Sequence, residues 1–120
     1  MPAYQASCVA IGGKALLIEG PPGSGKSSLA LALIDRGAVL IGDDGVMLEV
    51  REGRLVAQPH ANTRGLLEVR NLGLLTFPVC EGAPVALVLR LDEAAPRYVE
   101  RAETVEVMGV TLPMLRLWPG

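Results

Sequence analysis

Gly20-Pro-Pro-Gly-Ser-Gly-Lys-Ser27 is the stretch whose spacing constrains the fold most. It fits the pattern G-x-x-x-x-G-K-[ST] of a phosphate-binding loop. Gly20, Gly23 and Gly25 let the backbone turn successive N–H groups toward one anion. Lys26 brings a positive charge to the outer phosphates, and Ser27 offers a hydroxyl suited to magnesium. With Pro21, Pro22, Ser24 and Ser28, these make up the predicted nucleotide-binding residues. The pattern carries weight when a strand precedes the loop and a helix follows it, because the helix N-terminus adds its own preference for an anion.

Both neighbours are legible. Residues 14 to 19 (Lys-Ala-Leu-Leu-Ile-Glu) read as a buried strand. Ser27 to Arg36 lacks Gly and Pro, sets Leu29, Leu33 and Ile34 at helical spacing, and meets a stop at Gly37. Further out, residues 6 to 11 form a strand joined to the next by the turn Gly12-Gly13. Residues 38 to 42 form an apolar strand. Residues 46 to 50 and 54 to 58 flank a turn at Glu52-Gly53. His60 to Gly65 is polar and loop-like, and 66 to 70 and 72 to 77 are short apolar segments. Residues 85 to 91 form a strand, and 104 to 107 and 110 to 112 straddle Met108-Gly109 as a last hairpin. The expected fold is α/β: a P-loop kinase-like mixed β-sheet, rich in hairpins, with one main helix after the P-loop. Common P-loop proteins instead alternate strand and helix.

The 120 residues suit a single domain spanning the chain. Half of them are hydrophobic and only 3% are aromatic, so the core must be aliphatic. A formal net charge of -2 leaves no basic footprint for nucleic acid. No apolar run approaches the roughly 20 residues of a membrane-spanning helix. Met1-Pro-Ala-Tyr4 carries no signal-like core. The expected compartment is the cytoplasm. Cys8 and Cys80 sit in apolar runs and read as buried, reduced thiols.

Asp43-Asp44 ends the strand at 38 to 42. A phosphoryl-transfer site needs one acid to hold magnesium and another to accept the proton of the attacking hydroxyl. An Asp-Asp-Gly turn leading into a hairpin has the same spelling. Spacing alone leaves both readings open.

The P-loop, Leu-Ala-Leu-Ala-Leu-Ile-Asp-Arg-Gly (29 to 37), Leu-Ile-Gly-Asp-Asp (40 to 44) and Leu-Leu-Glu-Val-Arg-Asn-Leu-Gly-Leu-Leu (66 to 75) follow one another in an order that resembles the catalytic domain of HPr kinase/phosphorylase. The chain is most similar to the short alphaproteobacterial forms of that family, which lack its N-terminal domain. The resemblance covers most of residues 5 to 77. It implies an ATP- and Mg2+-dependent serine kinase acting on the phosphocarrier protein HPr of the sugar phosphotransferase system. It also implies a reverse reaction with inorganic phosphate, and a homo-oligomer. Carried over residue by residue, Lys26 would neutralise the transferring phosphate. Ser27 and Glu68 would hold magnesium. Asp43 and Asp44 match the acidic pair, one of which would be the base, and Arg70 belongs to the same signature. Without the resemblance, Glu68 and Arg70 read first as a surface ion pair on one strand face.

The chain departs from the family pattern in four places. Gln5 stands where the family has a His before the first strand, and a glutamine cannot carry a proton's charge. Ser28 replaces an acid after the P-loop Lys-Ser. Asn71 replaces a glycine after Arg70. The chain reaches Gly120 where the family continues into a basic segment and terminal helices, so the domain reads as shortened there. These departures support an alternative reading, a catalytically weakened nucleotide-binding regulatory module. His60 and Arg64, in one polar loop, read as solvated residues or as anion contacts.

Overall fold

A computed structural model describes residues 3–95 and 103–118. Antiparallel β1 (Ser7–Ile11) and β2 (Lys14–Glu19) meet in register through Gly12-Gly13. Both turn residues have positive φ, at 58° and 79°, the geometry that keeps a two-residue hairpin in step with strand twist. Glu52-Gly53 joins β4 (Val46–Arg51) to β5 (Arg54–Pro59) in the same way, and Met108-Gly109 joins β9 (Glu103–Val107) to β10 (Val110–Leu117). The helix α1 (Lys26–Asp35) follows β2 and the glycine loop. The mixed sheet with one main helix is the architecture expected from sequence.

The main sheet runs β3 (Val39–Gly42), β1, β2, β8 (Ala83–Leu91), β10, β9. β2 and β10 flank β8 in parallel, and the other pairs along this path are antiparallel. β8 begins at Ala83, two residues before the expected 85. Its first residues pair with β5 through Val56↔Pro84 and Ala57↔Ala83, which makes it the strand that ties the β4–β5 hairpin to the sheet. β10 likewise continues past Pro113, where the sequence pattern stops. Proline has no N–H for a ladder. At Pro113 the strand is paired to β9, and its pairing to β8 begins only at Met114.

Strand alternation divides the apolar residues between two layers. Cys8, Ala10, Ala15, Leu17 and Val88 face one way and pack with Leu48, Leu55 and Ala57 of the β4–β5 hairpin. Val9, Ile18 and Leu89 face the other way, against Ala30, Leu29, Leu33 and Ile34 of α1. The helical face expected from spacing is therefore the one that docks. β6 (Leu66–Val69) and β7 (Gly73–Thr76) form a separate two-stranded sheet beside α1. The polar loop before it contains a short 3-10 turn, Ala61–Thr63, capped by His60. Among the described residues, no helix is long and apolar enough to cross a membrane.

Both cysteines are free. Cys8 is fully buried, and burial pushes its thiol pKa up. Cys80 corrects the expectation of two buried thiols. It is only half-buried, with its N–H donating to the Leu40 carbonyl at 2.8 Å and its Sγ to the Gly82 carbonyl at 3.4 Å.

Candidate active site

The glycine loop lies at the C-terminal end of β2, where parallel strands open toward a ligand crevice. Gly25 sits in the left-handed region and starts α1 without a side-chain cap. The first helical turn carries no acid of its own. Lys26 folds back over the loop, its Nζ donating to the carbonyls of Gly20 at 2.8 Å and Pro21 at 3.3 Å. Ser24 N–H closes the turn onto the Pro21 carbonyl at 3.1 Å. The Ser24 Oγ is buried and finds no hydrogen-bond partner among the described residues.

A cleft of about 520 Å³ opens over this loop. Gly20, Pro22, Gly23, Gly25, Lys26, Ser27 and Ser28 line one side, and Gln5, Asp43, Asp44, Glu68 and Arg70 line the other. The residues that sequence spacing and resemblance pointed to therefore meet in one place. Of the nine predicted nucleotide contacts, two do not line this cleft: Ser24, whose Oγ is buried, and Pro21, which lines a second cleft next to it. His60 and Arg64 do not line it either. The His60 Nδ1 accepts from the Asn62 N–H at 3.2 Å, and Arg64 pairs with Glu81.

Asp43 is the centre of the polar contacts. Its Oδ1 accepts from Ser27 Oγ at 2.7 Å and from Ser7 Oγ at 2.8 Å. Its Oδ2 accepts from the Glu68 N–H at 3.2 Å. Three segments far apart in sequence thus converge on one carboxylate. Asp44 is exposed, with φ at 56°, a conformation in which a short polar side chain is at home. Glu68 and Arg70 both face the cleft, and among the described residues no ion pair joins them.

The oxygens of Ser27, Asp43 and Glu68 fit a hard cation. Magnesium takes one or two carboxylates and completes its shell with phosphate and water. The described residues hold no cluster of three His, Cys, Asp or Glu side chains that could cage a metal alone, so such a cation would have to share phosphate ligands.

The adjoining cleft, of about 580 Å³, shares Gln5 and Gly20 with the first and adds Glu19, Arg90, Asp92 and Glu93. Glu19 ends β2 immediately before the loop. Arg90 reaches its Oε1 with Nη2 at 2.9 Å and Nε at 3.3 Å, and the Tyr4 hydroxyl donates to its Oε2. Burial, reinforced by the Glu19 carboxylate, pushes the Tyr4 hydroxyl up to about 12.

Residues 2–117 match the family model described as HPr Serine kinase C-terminal domain. The chain belongs to this family. The HPr kinase/phosphorylase of Clostridium tetani is 41% identical over 78 residues, which cover 65% of this chain and 26% of that protein. The HPr kinase/phosphorylase of Streptococcus thermophilus (strain ATCC BAA-491 / LMD-9) is 34% identical over 122 residues, covering 91% and 40%. The chain thus spans well under half the length of these curated relatives. The solved Hpr(Ser) kinase/phosphatase from Coxiella burnetii superposes with a TM-score of 0.86 at 25% identity, covering 98% of this chain and 86% of that one. As an HPr Serine kinase C-terminal domain, the chain shares a mixed, hairpin-rich sheet with a single main helix behind the P-loop.

Sequence reading passed over three contributors. Ser7 has a detectable signal, a hydroxyl residue at a core-facing position of an apolar strand. Glu19 and Arg90 have none, because each looks like an ordinary strand-end charge until β2 and β8 are paired.

Proposed function

We propose that this domain binds ATP with Mg2+ in the P-loop cleft and transfers the γ-phosphoryl group to a serine of the phosphocarrier protein HPr. The observation that carries the proposal is Asp43, bonded at once to the P-loop Ser27 and to the backbone of Glu68. That contact gathers phosphate loop, acidic pair and signature hairpin around one point. The names of the relatives support HPr as acceptor.

The chemistry follows from the residues. The loop and the N-terminus of α1 receive the phosphates, and Lys26 exchanges its bonds to the Gly20 and Pro21 carbonyls for phosphate oxygens. Ser27 and Glu68 would hold the magnesium ion, which when bound neutralises charge on the outer phosphates. The acceptor serine oxygen forms its bond to the γ-phosphorus as the bond to the bridging oxygen breaks. The hydroxyl proton passes to the Asp43/Asp44 pair, and ADP leaves. In a separate dephosphorylation, inorganic phosphate attacks the phosphoserine phosphorus, the serine oxygen leaves and takes back a proton, and pyrophosphate is released. A cytoplasmic homo-oligomer is the setting that accompanies this reading.

The test is transfer of labelled γ-phosphate to HPr by the wild type, Lys26→Ala, Asp43→Asn and Asp44→Asn. Transfer that is abolished by Lys26→Ala and reduced by the aspartate variants is expected. A wild type that binds ATP but transfers nothing would sink the kinase reading. It would leave a nucleotide-binding regulatory module, the reading favoured by Gln5, whose amide cannot titrate in the cleft where the family pattern has a His.

A further inference from the structure

We propose that Ser7 is a positioning residue for this site, a fixed donor that, with Ser27, keeps the Asp43 carboxylate aimed into the cleft while the Ser27 oxygen offers its lone pairs to the nucleotide's cation. The inference rests on the kinase reading above and deepens it.

Ser7 is the polar residue among the buried described ones, and it has no exposed surface. It opens β1 opposite Ile18, on the face that Val9 and Ile18 present to α1. A hydroxyl there is costly unless it is hydrogen-bonded, whereas an alanine would fit without penalty. Its Oγ donates to Asp43 Oδ1, and among the described residues no other partner for it is seen.

The local backbone explains why such a donor is needed. β1 pairs with β3 through Cys8↔Gly42 and Val9↔Leu40, so Ile41 is an extra residue in the ladder. A bulge of this kind bends the strand and re-aims the side chains beyond it. The chain then turns so tightly that a Cβ on Gly42 would lie 2.4 Å from the Gly45 carbonyl oxygen. Asp43 sits inside this turn, and its direction is set by the groups that bond it.

Those groups are not equivalent. Ser27 belongs to the phosphate loop and has a cation to meet when a nucleotide arrives, and Glu68 lends Asp43 only a backbone N–H from an exposed strand position. Ser7 is held in the sheet core and has no ligand to turn to. Two hydroxyls on Oδ1 occupy both of its lone pairs, while Oδ2 takes one donor and keeps one acceptor direction open. Ser7 thereby fixes which oxygen of Asp43 is available in the cleft.

The experiment compares wild type, Ser7→Ala, Ser7→Thr (hydroxyl kept) and Ser7→Cys (volume kept, donor weakened). Two readouts are used: steady-state transfer to HPr, and 13C NMR of the aspartate carboxylates with and without Mg2+ and ADP, the Asp43 signal being assigned with Asp43→Asn. Ser7→Ala is expected to lower kcat by about tenfold or more with KM for ATP within about twofold, the pattern of an interaction needed in the transition state. Its Asp43 carboxylate signal moves, and Ser7→Thr returns both properties toward wild type. Should Ser7→Ala fail to fold, Ser7→Cys gives the same comparison. An unchanged kcat, or an unmoved Asp43 signal in a folded Ser7 variant, overturns the assignment. A wild type inactive on HPr counts against the kinase reading, and the NMR comparison then decides the role of Ser7 without it.

Discussion

Ser27 Oγ lies 2.7 Å from Asp43 Oδ1, which locks the first turn of α1 to the end of β3. The hydroxyl spends its proton on the carboxylate and keeps its lone pairs free. A cation bound there would meet a serine oxygen already oriented. The P-loop and the acidic pair are therefore one device, coupled before any nucleotide arrives.

The Lys26→Ala variant should separate binding from folding. Among the described residues Lys26 Nζ donates only to loop carbonyls. Removing it should cost about 1 kcal/mol of stability, the scale of an ordinary hydrogen bond. The rise in Tm that ATP produces in the wild type should vanish, because the charge facing the phosphates is gone. Thermal melts with and without nucleotide check both parts.

Two loop glycines should fail for different reasons. A Cβ on Gly20 would lie 2.5 Å from Ser24 Oγ, 3.1 Å from Leu91 Cβ and 3.3 Å from the Leu91 carbonyl oxygen. Gly20→Ala should therefore destabilise the domain by about 2–3 kcal/mol through overpacking. Gly23 has φ at 79° and open space around it. Gly23→Ala should cost only the conformational strain of about 1 kcal/mol, while still disturbing the nucleotide-bound loop. Urea unfolding of the two variants gives the comparison, and equal losses would contradict it.

The Glu19–Arg90 pair should show coupling in a double-mutant cycle. It joins parallel strands β2 and β8 beside the P-loop, with Glu19 12% and Arg90 32% exposed. This partial burial places it between surface pairs and fully buried ones. Removing Arg90 alone should cost about 1–2 kcal/mol, because Glu19 is left without its cation. Glu19→Gln with Arg90→Met should cost less than the sum of the single changes. Additive losses would show that the pair contributes nothing as a pair.

Tyr4 should titrate late. Burial and the neighbouring Glu19 carboxylate raise its hydroxyl from 10.0 to about 12. Stability linked to the protonated phenol is complete below the unfolded value and is lost as pH rises from 10.0 through about 12. Ultraviolet titration of Tyr98→Phe, which leaves Tyr4 as the remaining tyrosine, should show phenolate forming near the upper value. Tyr4→Phe should remove the corresponding fall in stability.

The elements were readable because their signals are local. Gly12-Gly13, Glu52-Gly53 and Met108-Gly109 mark hairpins whatever surrounds them, and the apolar face of α1 is a matter of spacing. The sequence pattern of β10 ends at 112, whereas the strand runs on to Leu117, because the strand that pairs Met114 to Leu117 is β8, distant in sequence. Glu68 looked like half of a surface ion pair. In the fold its backbone N–H turns to Asp43, a contact 25 residues away that no spacing rule contains.

The phosphate loop and its flanking strand and helix follow from residue order alone, since they depend on backbone freedom and local spacing, whereas Asp43-Asp44 spells an acidic pair and a turn equally well. Which aspartate stands at the centre of the cleft, and what holds it there, was decided only by folding. The bulge at Ile41, the burial of Ser7 and the docking of the β6–β7 hairpin come from strands that meet across the sheet. A carboxylate's direction depends on donors gathered in three dimensions, and Asp43 draws its own from residues 7, 27 and 68.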